Sequence, residues 1–570
     1  MKRPILIFLA AAAFLGACWG AFQAATPAPP ALSRFVPEGA LLYLQAKDFS
    51  SLLSGWSQST EKQLWLKSNN YEVFSRSRLF LRLKDASHEF ASAAGIPADT
   101  NLLRQVAGQQ SALAIFDIGK LQFLYITRLP SASSMQSTLW QTRSKFETRN
   151  AGGVQFFVRR DPDSQREVAF AVNGDYLLLA TREDLLAGAL ELMANTDANS
   201  IETEAWWNQS VAAAATAKSD GDLRMVLNLE KLVPSPYFRS YWIQPNIADL
   251  KNYSAAISDL VRSGSEFREN RILLRKDSIA IDDSAAAGAA AVADVKRFVP
   301  AQAGIYQAVA NPAPPVSLDL LQTKILAPHL GPAVAAKLAP EVQLSNGETG
   351  VASDLETRID QPPAAAAVSV DSTVPLQKLF ADNPVSAILE VQSTELNKDG
   401  VFVRIHSAIA FLAQSEWNES AVRSSLVDFV RPGLTTGDMG VEWRNNAGHI
   451  ELNGLWTLAV SVRGKYLLVS DNAELLARMQ ANANKNPQTT IEPAAYAAGF
   501  DHQQERDNFA RLTGLLDNQT ANPGSGHTPN FFSENIGSLS SAIGGLSSEK
   551  IVIHEAADKE SQTVTYQWAR

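Results

Sequence analysis

The sequence predicts an α+β protein of two related lobes, each an antiparallel sheet with helices packed on one face. Three observations predict it: strand-like runs are joined by glycine turns, helical periodicity follows the second strand of such a pair, and the pattern occurs twice, in order, along 570 residues. A chain of this length exceeds the ~250–300 residues at which single cores stop growing. Hydrophobic residues make up 46% and charged residues 19%, which is the composition of a chain that buries cores, not of a disordered one.

The elements follow in chain order. Lys2 and Arg3 precede the apolar run 5–17, which ends at Cys18. A basic start followed by about 7–15 apolar residues is the layout of a secretory signal peptide. Leu15-Gly16-Ala17-Cys18 resembles the bacterial lipobox, in which small residues admit the peptidase and the cysteine sulfur takes a diacylglycerol. Cys18 is the lipid-attachment candidate, and it is the only cysteine in the chain. An uncleaved anchor running on to Phe22 and a soluble exported form are the two other readings. All three put the body outside the cytoplasm, in a bacterial envelope, facing the periplasm or cell exterior. Pro27, Pro29 and Pro30 then stiffen a tether, because proline fixes φ and lacks a backbone donor. The expected division is a signal peptide over 1–17, a lipid-anchored tether over 18–33, a first lobe over 34–296 and a second over 297–570.

Beyond the N-terminus no apolar run reaches the roughly 20 residues that cross a bilayer as a helix. Loss of residues 1–17 leaves 48 Lys+Arg against 59 Asp+Glu, a net charge of −11. The basic residues occur at most as doublets such as Arg159-Arg160, so nucleic acid is not an expected partner.

The duplication rests on three ordered matches. Arg34-Phe35-Val36-Pro37, leading to Tyr43, returns as Arg297-Phe298-Val299-Pro300, leading to Tyr306. Gly174-Asp175-Tyr176-Leu177-Leu178-Leu179 returns as Gly464-Lys465-Tyr466-Leu467-Leu468-Val469. Ser254-Ala255-Ala256-Ile257 returns as Ser540-Ser541-Ala542-Ile543. The alanine-rich run 284–293 before the second start reads as a linker or a connecting helix.

Within the shared unit, 154–160 and 168–172 are rich in β-branched and aromatic residues and read as strands. Asn173-Gly174 is expected to supply both positive-φ residues of a type I′ hairpin, with Gly464 as its counterpart. Tyr176 to Ala180 is apolar on both faces and reads as a central strand beneath a helix. That helix, 182–193, places Leu185, Leu186, Ala189, Leu190 and Met193 on one side. Further helices are expected at 134–146, 209–218, 335–338 and 420–430, and strands at 271–274, 279–281, 550–554 and 563–568. Asn522-Pro523-Gly524-Ser525-Gly526 reads as a loop.

Chemistry-bearing motifs are sparse. The seven histidines, His88, His329, His406, His449, His502, His527 and His554, include no i, i+4 pair. Asp501 to Glu505 reads as a solvated helix start, and no metal or other cofactor is expected. With Cys18 committed to the anchor, the body has no thiol nucleophile. There is no GxSxG, P-loop or GxGxxG. Ser59-Thr60-Glu61-Lys62 fits SxxK and Ser470-Asp471-Asn472 fits SDN, but the KTG of the penicillin-recognising set is missing. Asp471 or Asn472 is better read as a helix N-cap. Asp161, Asp163, Glu202, Glu204, Asp282 and Asp283 fall mostly in turn or surface contexts. Trp206-Trp207 reads as core packing in preference to a ligand groove.

Taken together, the lipobox-like start, the Phe-Val-Pro segment leading to Tyr43, the Gly-Asp-Tyr-Leu-Leu-Leu strand and the Asp184-Leu185-Leu186 helix resemble an uncharacterised domain-of-unknown-function family of exported bacterial proteins. The resemblance implies an envelope context and carries no functional residue with it. The function expected is a non-enzymatic binding or assembly module held at the membrane by its lipid. Its partner would be an envelope protein or a hydrophobic ligand, met in a cleft between the lobes. A periplasmic carrier of a lipid or other hydrophobe and an exported hydrolase stand as alternatives.

Overall fold

A computed structural model describes residues 29–568 apart from 60–61, 64–65, 68–70, 72–73, 196–198, 238–249, 282, 302, 327–369, 397–402, 435–441, 455, 486–492 and 504–545. It is a mixture of helix and strand built on one large antiparallel sheet. Ten strands come from the N-terminal part: β1 (Leu42–Ala46), β2 (Ser111–Asp117), β3 (Gln122–Arg128), β4 (Glu147–Ala151), β5 (Val154–Arg160), β6 (Glu167–Asn173), β7 (Tyr176–Ala180), β8 (Leu223–Asn228), β9 (Tyr253–Ser263) and β10 (Glu266–Arg275). Ten more follow: β11 (Ile305–Ala310), β12 (Val385–Leu396), β13 (Val403–Ala413), β14 (Glu442–Asn446), β15 (His449–Asn453), β16 (Thr457–Arg463), β17 (Tyr466–Ser470), β18 (Tyr496–Asp501), β19 (Leu546–Glu555) and β20 (Lys559–Trp568).

The first ten pair in the order β4-β5-β6-β7-β3-β2-β1-β8-β9-β10. The second ten pair in the order β14-β15-β16-β17-β13-β12-β11-β18-β19-β20. Their last strands then join: β10 and β20 run antiparallel through nine residue pairs, from Glu266 opposite Gln567 to Leu274 opposite Lys559. Among the described residues, twenty strands thus share one sheet. The seam carries side-chain ties as well. The Tyr253 hydroxyl donates to Glu560 at 2.6 Å, the Gln567 amide donates to Ser265 at 2.7 Å, and the Phe267 and Trp568 rings meet at 6.3 Å.

Helices cover both faces of the sheet, not one. Those that matter here are α1 (Arg78–Ala94), α2 (Thr100–Val106), α3 (Glu183–Ala194), α4 (Ala205–Thr216), α5 (Asp283–Val295), α6 (Val370–Asp382), α7 (Glu419–Leu434) and α8 (Ala473–Lys485). In β7, Leu178 and Ala180 enter a core with Leu185 and Leu186 of α3 and Trp206 and Trp207 of α4. Leu177 and Leu179 enter another core with Ala93 of α1 and Leu102 of α2. In β17, Leu468 packs with Leu475 and Leu476 of α8, whereas Leu467 and Val469 pack with Phe380 of α6 and Val422 of α7. A strand that is apolar on both sides has to be covered on both sides, so the one-faced expectation is corrected by the very run that the sequence marked as central. The alanine-rich run forms α5, which packs Ala291, Val292 and Val295 among β11–β13 residues.

The repeated motifs meet in space. Phe35 lies edge-on to Tyr176 at 5.6 Å, and Phe298 lies against Tyr466 at 5.2 Å. Each pair therefore docks an Arg-Phe-Val-Pro segment on the hairpin strand. Ser540 to Ile543 fall outside the described residues.

The hairpin turns differ from the type I′ expectation. Gly174 and Gly464 have φ of +54° and +55°, but neither Asn173, Asp175, Arg463 nor Lys465 has positive φ. Asn173 pairs with Tyr176 and Arg463 with Tyr466, so each glycine is the first of two loop residues. Positive φ at the first loop position alone is the type II′ pattern, which requires glycine there and leaves the next residue free to be Asp or Lys.

The predicted 134–146 helix is broken into Ser131–Gln136, Thr138–Gln141 and a 3₁₀ turn at Arg143–Lys145. Ser137 sits extended between the first two and accepts a hydrogen bond from the Trp140 N–H, the usual preference of serine for a cap. Residues 279–281 form no strand. The 335–338 helix and the 522–526 loop lie outside the described residues.

Candidate functional site

The site is assembled from four adjacent strands in the order β12-β11-β18-β19 and one helical turn. In β11, Gln307 stands opposite Glu390 on one side and Ala498 on the other. In β18, Tyr496, Ala498 and Phe500 share a face because side chains alternate along a strand. Ala498 stands opposite Ile551, and Phe500 opposite Glu549. Lys324 comes from the turn Leu321–Leu326, which is fixed from beneath by Leu321 and Ile325, 2% and 1% exposed. Together these side chains line a cleft of about 390 Å³.

Glu390 is the centre of the cluster. It is 3% exposed, and a carboxylate so deep requires partners. Lys324 Nζ lies 3.0 Å from Oε1, and the Gln392 amide donates to the same oxygen at 2.6 Å. The Gln307 amide donates to Oε2. The Tyr496 hydroxyl, 3.5 Å from Gln307 Oε1, is raised above its ordinary pKa by burial first and by the charge of Glu390 second. Glu549, on the rim, is more exposed and lies 3.6 Å from His502 Nε2. On the reverse face the Tyr306 ring crosses Gly499, where a Cβ would stand 2.4 Å from a ring carbon, so this floor strand needs glycine. Chemically, the cleft offers amide donors and acceptors, a phenol, an aromatic ring, an ammonium whose charge is matched by Glu390, and the Glu549 carboxylate on the rim.

Every lining residue comes from 305–551, so this cleft belongs to the second ten strands.

The residues singled out in the sequence fall elsewhere. Cys18 is outside the described residues, and Gly174 and Gly464 are in the hairpin turns. Trp206 and Trp207 are 9% and 6% exposed, and the Trp207 ring stands edge-on to Tyr43 at 4.8 Å, which is core packing. Asp161 accepts from the Ser164 N–H, the Ser164 hydroxyl and the Ser92 hydroxyl, bonds that hold its carboxyl below the usual range. Glu202 accepts from Ser33, and Glu204 from the Gly39 N–H, so both tie the segment around β1 in place. Ser59 accepts from the Lys62 N–H and acts as a local cap.

In the Ser470-Asp471-Asn472 run, Asn472 is the N-cap, accepting from Leu475 N–H at 2.8 Å, and Asp471 accepts from the Ser407 N–H at 2.9 Å. Ser393 and His406 are opposite one another on β12 and β13, and His406 Nδ1 lies 3.7 Å from Asp471, beyond hydrogen-bond reach. Among the described residues no group of three His, Cys, Asp or Glu could hold a metal ion.

Sequence reasoning missed the Glu390 cluster. Its signal was a break in apolar runs: Glu390 and Gln392 interrupt the strand AILEVQ, and Gln307 interrupts IYQAVA.

No family model matches the chain, and no curated protein matches it. Among solved structures, crystal form I of TP0453 aligns with 12% identity and a TM-score of 0.23, covering 45% of this chain and 82% of that one. Crystal form III of TP0453 gives 10% identity at the same TM-score, covering 45% and 84%. Likeness at this level does not establish a shared fold.

Proposed function

We propose that this chain is a bacterial cell-envelope lipoprotein, anchored through Cys18, whose body is a non-enzymatic binding module made of two related halves. The observation that carries the binding reading is the state of Glu390: both oxygens are engaged by Lys324, Gln307 and Gln392. A carboxylate held this way is a fixed element of a recognition surface, whereas a general acid or base keeps an oxygen available to the reacting proton.

The duplication is supported by the matching strand orders and by the paired Phe35–Tyr176 and Phe298–Tyr466 contacts. A further match lies in β4 and β14, where Glu147-Thr148-Arg149-Asn150 corresponds to Glu442-Trp443-Arg444-Asn445. These two strands end the sheet, and their short, charged character suits exposed edges. In this reading the halves share one sheet across the β10–β20 seam.

Two experiments test the proposal. Replacing Cys18 with Ser in the full chain should move the protein from the membrane fraction to the soluble one, and unchanged fractionation would overturn the lipid anchor. Native mass spectrometry of the detergent-solubilised chain should give the acylated protein mass alone or with a bound partner. A lipid-sized ligand retained until denaturation would favour the carrier reading instead.

A further inference from the structure

We infer that the Glu390 cleft is a binding site for a neutral, polyhydroxylated ligand of one or two sugar-sized rings; this deepens the binding-module reading and rests on it. The first argument is a comparison within the molecule. In the first ten strands Leu44 stands opposite Leu113 and Met225. One residue beyond the corresponding tyrosine in the second ten, Gln307 stands opposite Glu390 and Ala498. The same place in the same strand order is thus filled by three apolar side chains in one case. In the other it holds an amide, a buried carboxylate and a methyl group. The apolar set needs no polar partners, and burying a carboxylate beside a half-exposed lysine is no route to greater stability. Replacing Met by Ala at the third position opens the space that the polar groups face.

The second argument is charge. On the floor Lys324 matches Glu390, so an anion meets no unopposed cation there, and the one further charge, Glu549, stands on the exposed rim beside His502. Hydroxyl groups both donate and accept, and they suit the amides of Gln307 and Gln392, each of which has a second N–H and a carbonyl oxygen with two lone pairs, the Gln307 oxygen meeting the Tyr496 hydroxyl only at 3.5 Å. Those amides are held in orientation by their bonds to Glu390, so the donors and acceptors are set before a ligand arrives.

The third argument is shape. Tyr496 and Phe500 flank Ala498 on one strand face, roughly 13 Å apart at about 3.3 Å per residue. They leave a small-residue slot between two aromatic rings, where the C–H face of a sugar ring can lie. A cleft of about 390 Å³ falls near the low end of small-molecule sites, which matches one or two rings.

The test is titration of the full chain in a zwitterionic detergent, since maltoside detergents are themselves sugars. Cellobiose, chitobiose and maltose are added separately to about 20 mM, with putrescine and citrate as charged comparators, and binding is read by saturation-transfer NMR. The expected result is saturable binding of at least one disaccharide and none of the charged compounds. A Gln307→Leu, Lys324→Met, Glu390→Leu chain, which gives positions 307 and 390 the leucines of the first ten strands and removes the lysine charge this would leave unmatched, should weaken that binding at least tenfold. Ala498→Met should do the same by filling the slot, and it serves alone if the triple variant fails to fold. The inference is overturned if no disaccharide saturates, if putrescine or citrate binds in their place, or if Ala498→Met leaves the affinity unchanged. A negative titration would refute the ligand class while leaving the native-mass result to judge the module itself.

Discussion

Tyr253→Phe tests the seam most directly. Tyr253 begins β9, is 8% exposed, and donates its hydroxyl to Glu560 of β20 at 2.6 Å. The substitution keeps the ring, so no cavity forms and the loss is confined to the hydrogen bond. Bonds to charged groups contribute about 1.5–3 kcal/mol. Glu560 keeps the Gln562 amide at 2.7 Å, with Arg275 at 3.8 Å, so the cost should fall near the lower end, about 1.5 kcal/mol. Urea unfolding at pH 7.5, with an unchanged m-value, would measure it.

The pH dependence sharpens this test. Burial first, then the bond to Glu560 and its charge, push the Tyr253 hydroxyl well above its ordinary value. The unfolded chain ionises this group near pH ~10 while the folded chain does not. Its stabilising share is therefore complete below about pH 10 and is lost as the pH rises beyond that. The gap between wild type and Tyr253→Phe should narrow from pH 10 upward. A difference under about 0.5 kcal/mol at pH 7.5, or a gap that stays constant to pH 11.5, would refute the reasoning.

Three other outcomes are expected. Gly174→Val and Gly464→Val should each destabilise by about 1–2 kcal/mol, the cost of left-handed backbone for an L-residue. No atom lies within 4 Å of a Cβ at Gly174, and at Gly464 only Glu416 does, at 3.9 Å, so thermal melts showing tolerance at both would sink the turn assignment. Asp259→Ala should cost about 3 kcal/mol, because Asp259 is 1% exposed and accepts from Arg224 Nε and Nη2 at 2.7 and 2.9 Å. A double-mutant cycle with Arg224→Ala that gives no coupling would count against it. Tyr466, pushed up to about 12 by burial and then by its bond to Asp294, contributes stability that is present below pH ~10 and lost between there and pH 12. Tyr466→Phe should flatten the fall of stability across that window in alkaline titrations.

What the sequence revealed was local. The β6–β7 hairpin and α3 were legible because alternation, a turn glycine and a 3.6-residue period lie within thirty residues of one another. The short motifs that recur in order were visible for the same reason. The glycine turns were found, yet their type was not, since Asn-Gly suggests two positive φ values and only pairing register shows where the loop begins. Both-faced burial was written into Tyr176 to Ala180, but a single strand does not say how many layers cover it. The Glu390 cluster unites Gln307, Lys324 and Glu390, which are brought together by pairing between distant strands. One polar residue in an apolar strand is a weak signal until its neighbours across the sheet are known.

The position of β20 sets a constraint on how the chain is made. Its partner β10 ends at Arg275, and roughly 290 residues separate that point from Trp568. A chain that emerges N-terminus first leaves β10 without its neighbour until those residues have followed. During that interval a ten-residue edge bearing Ile272 and Leu274 is open to any strand that can pair with it, including β20 of another copy. Exchange of C-terminal hairpins between nascent chains is the misassembly this architecture invites, and whatever shields β10 until the last strand arrives decides the yield of correctly closed protein.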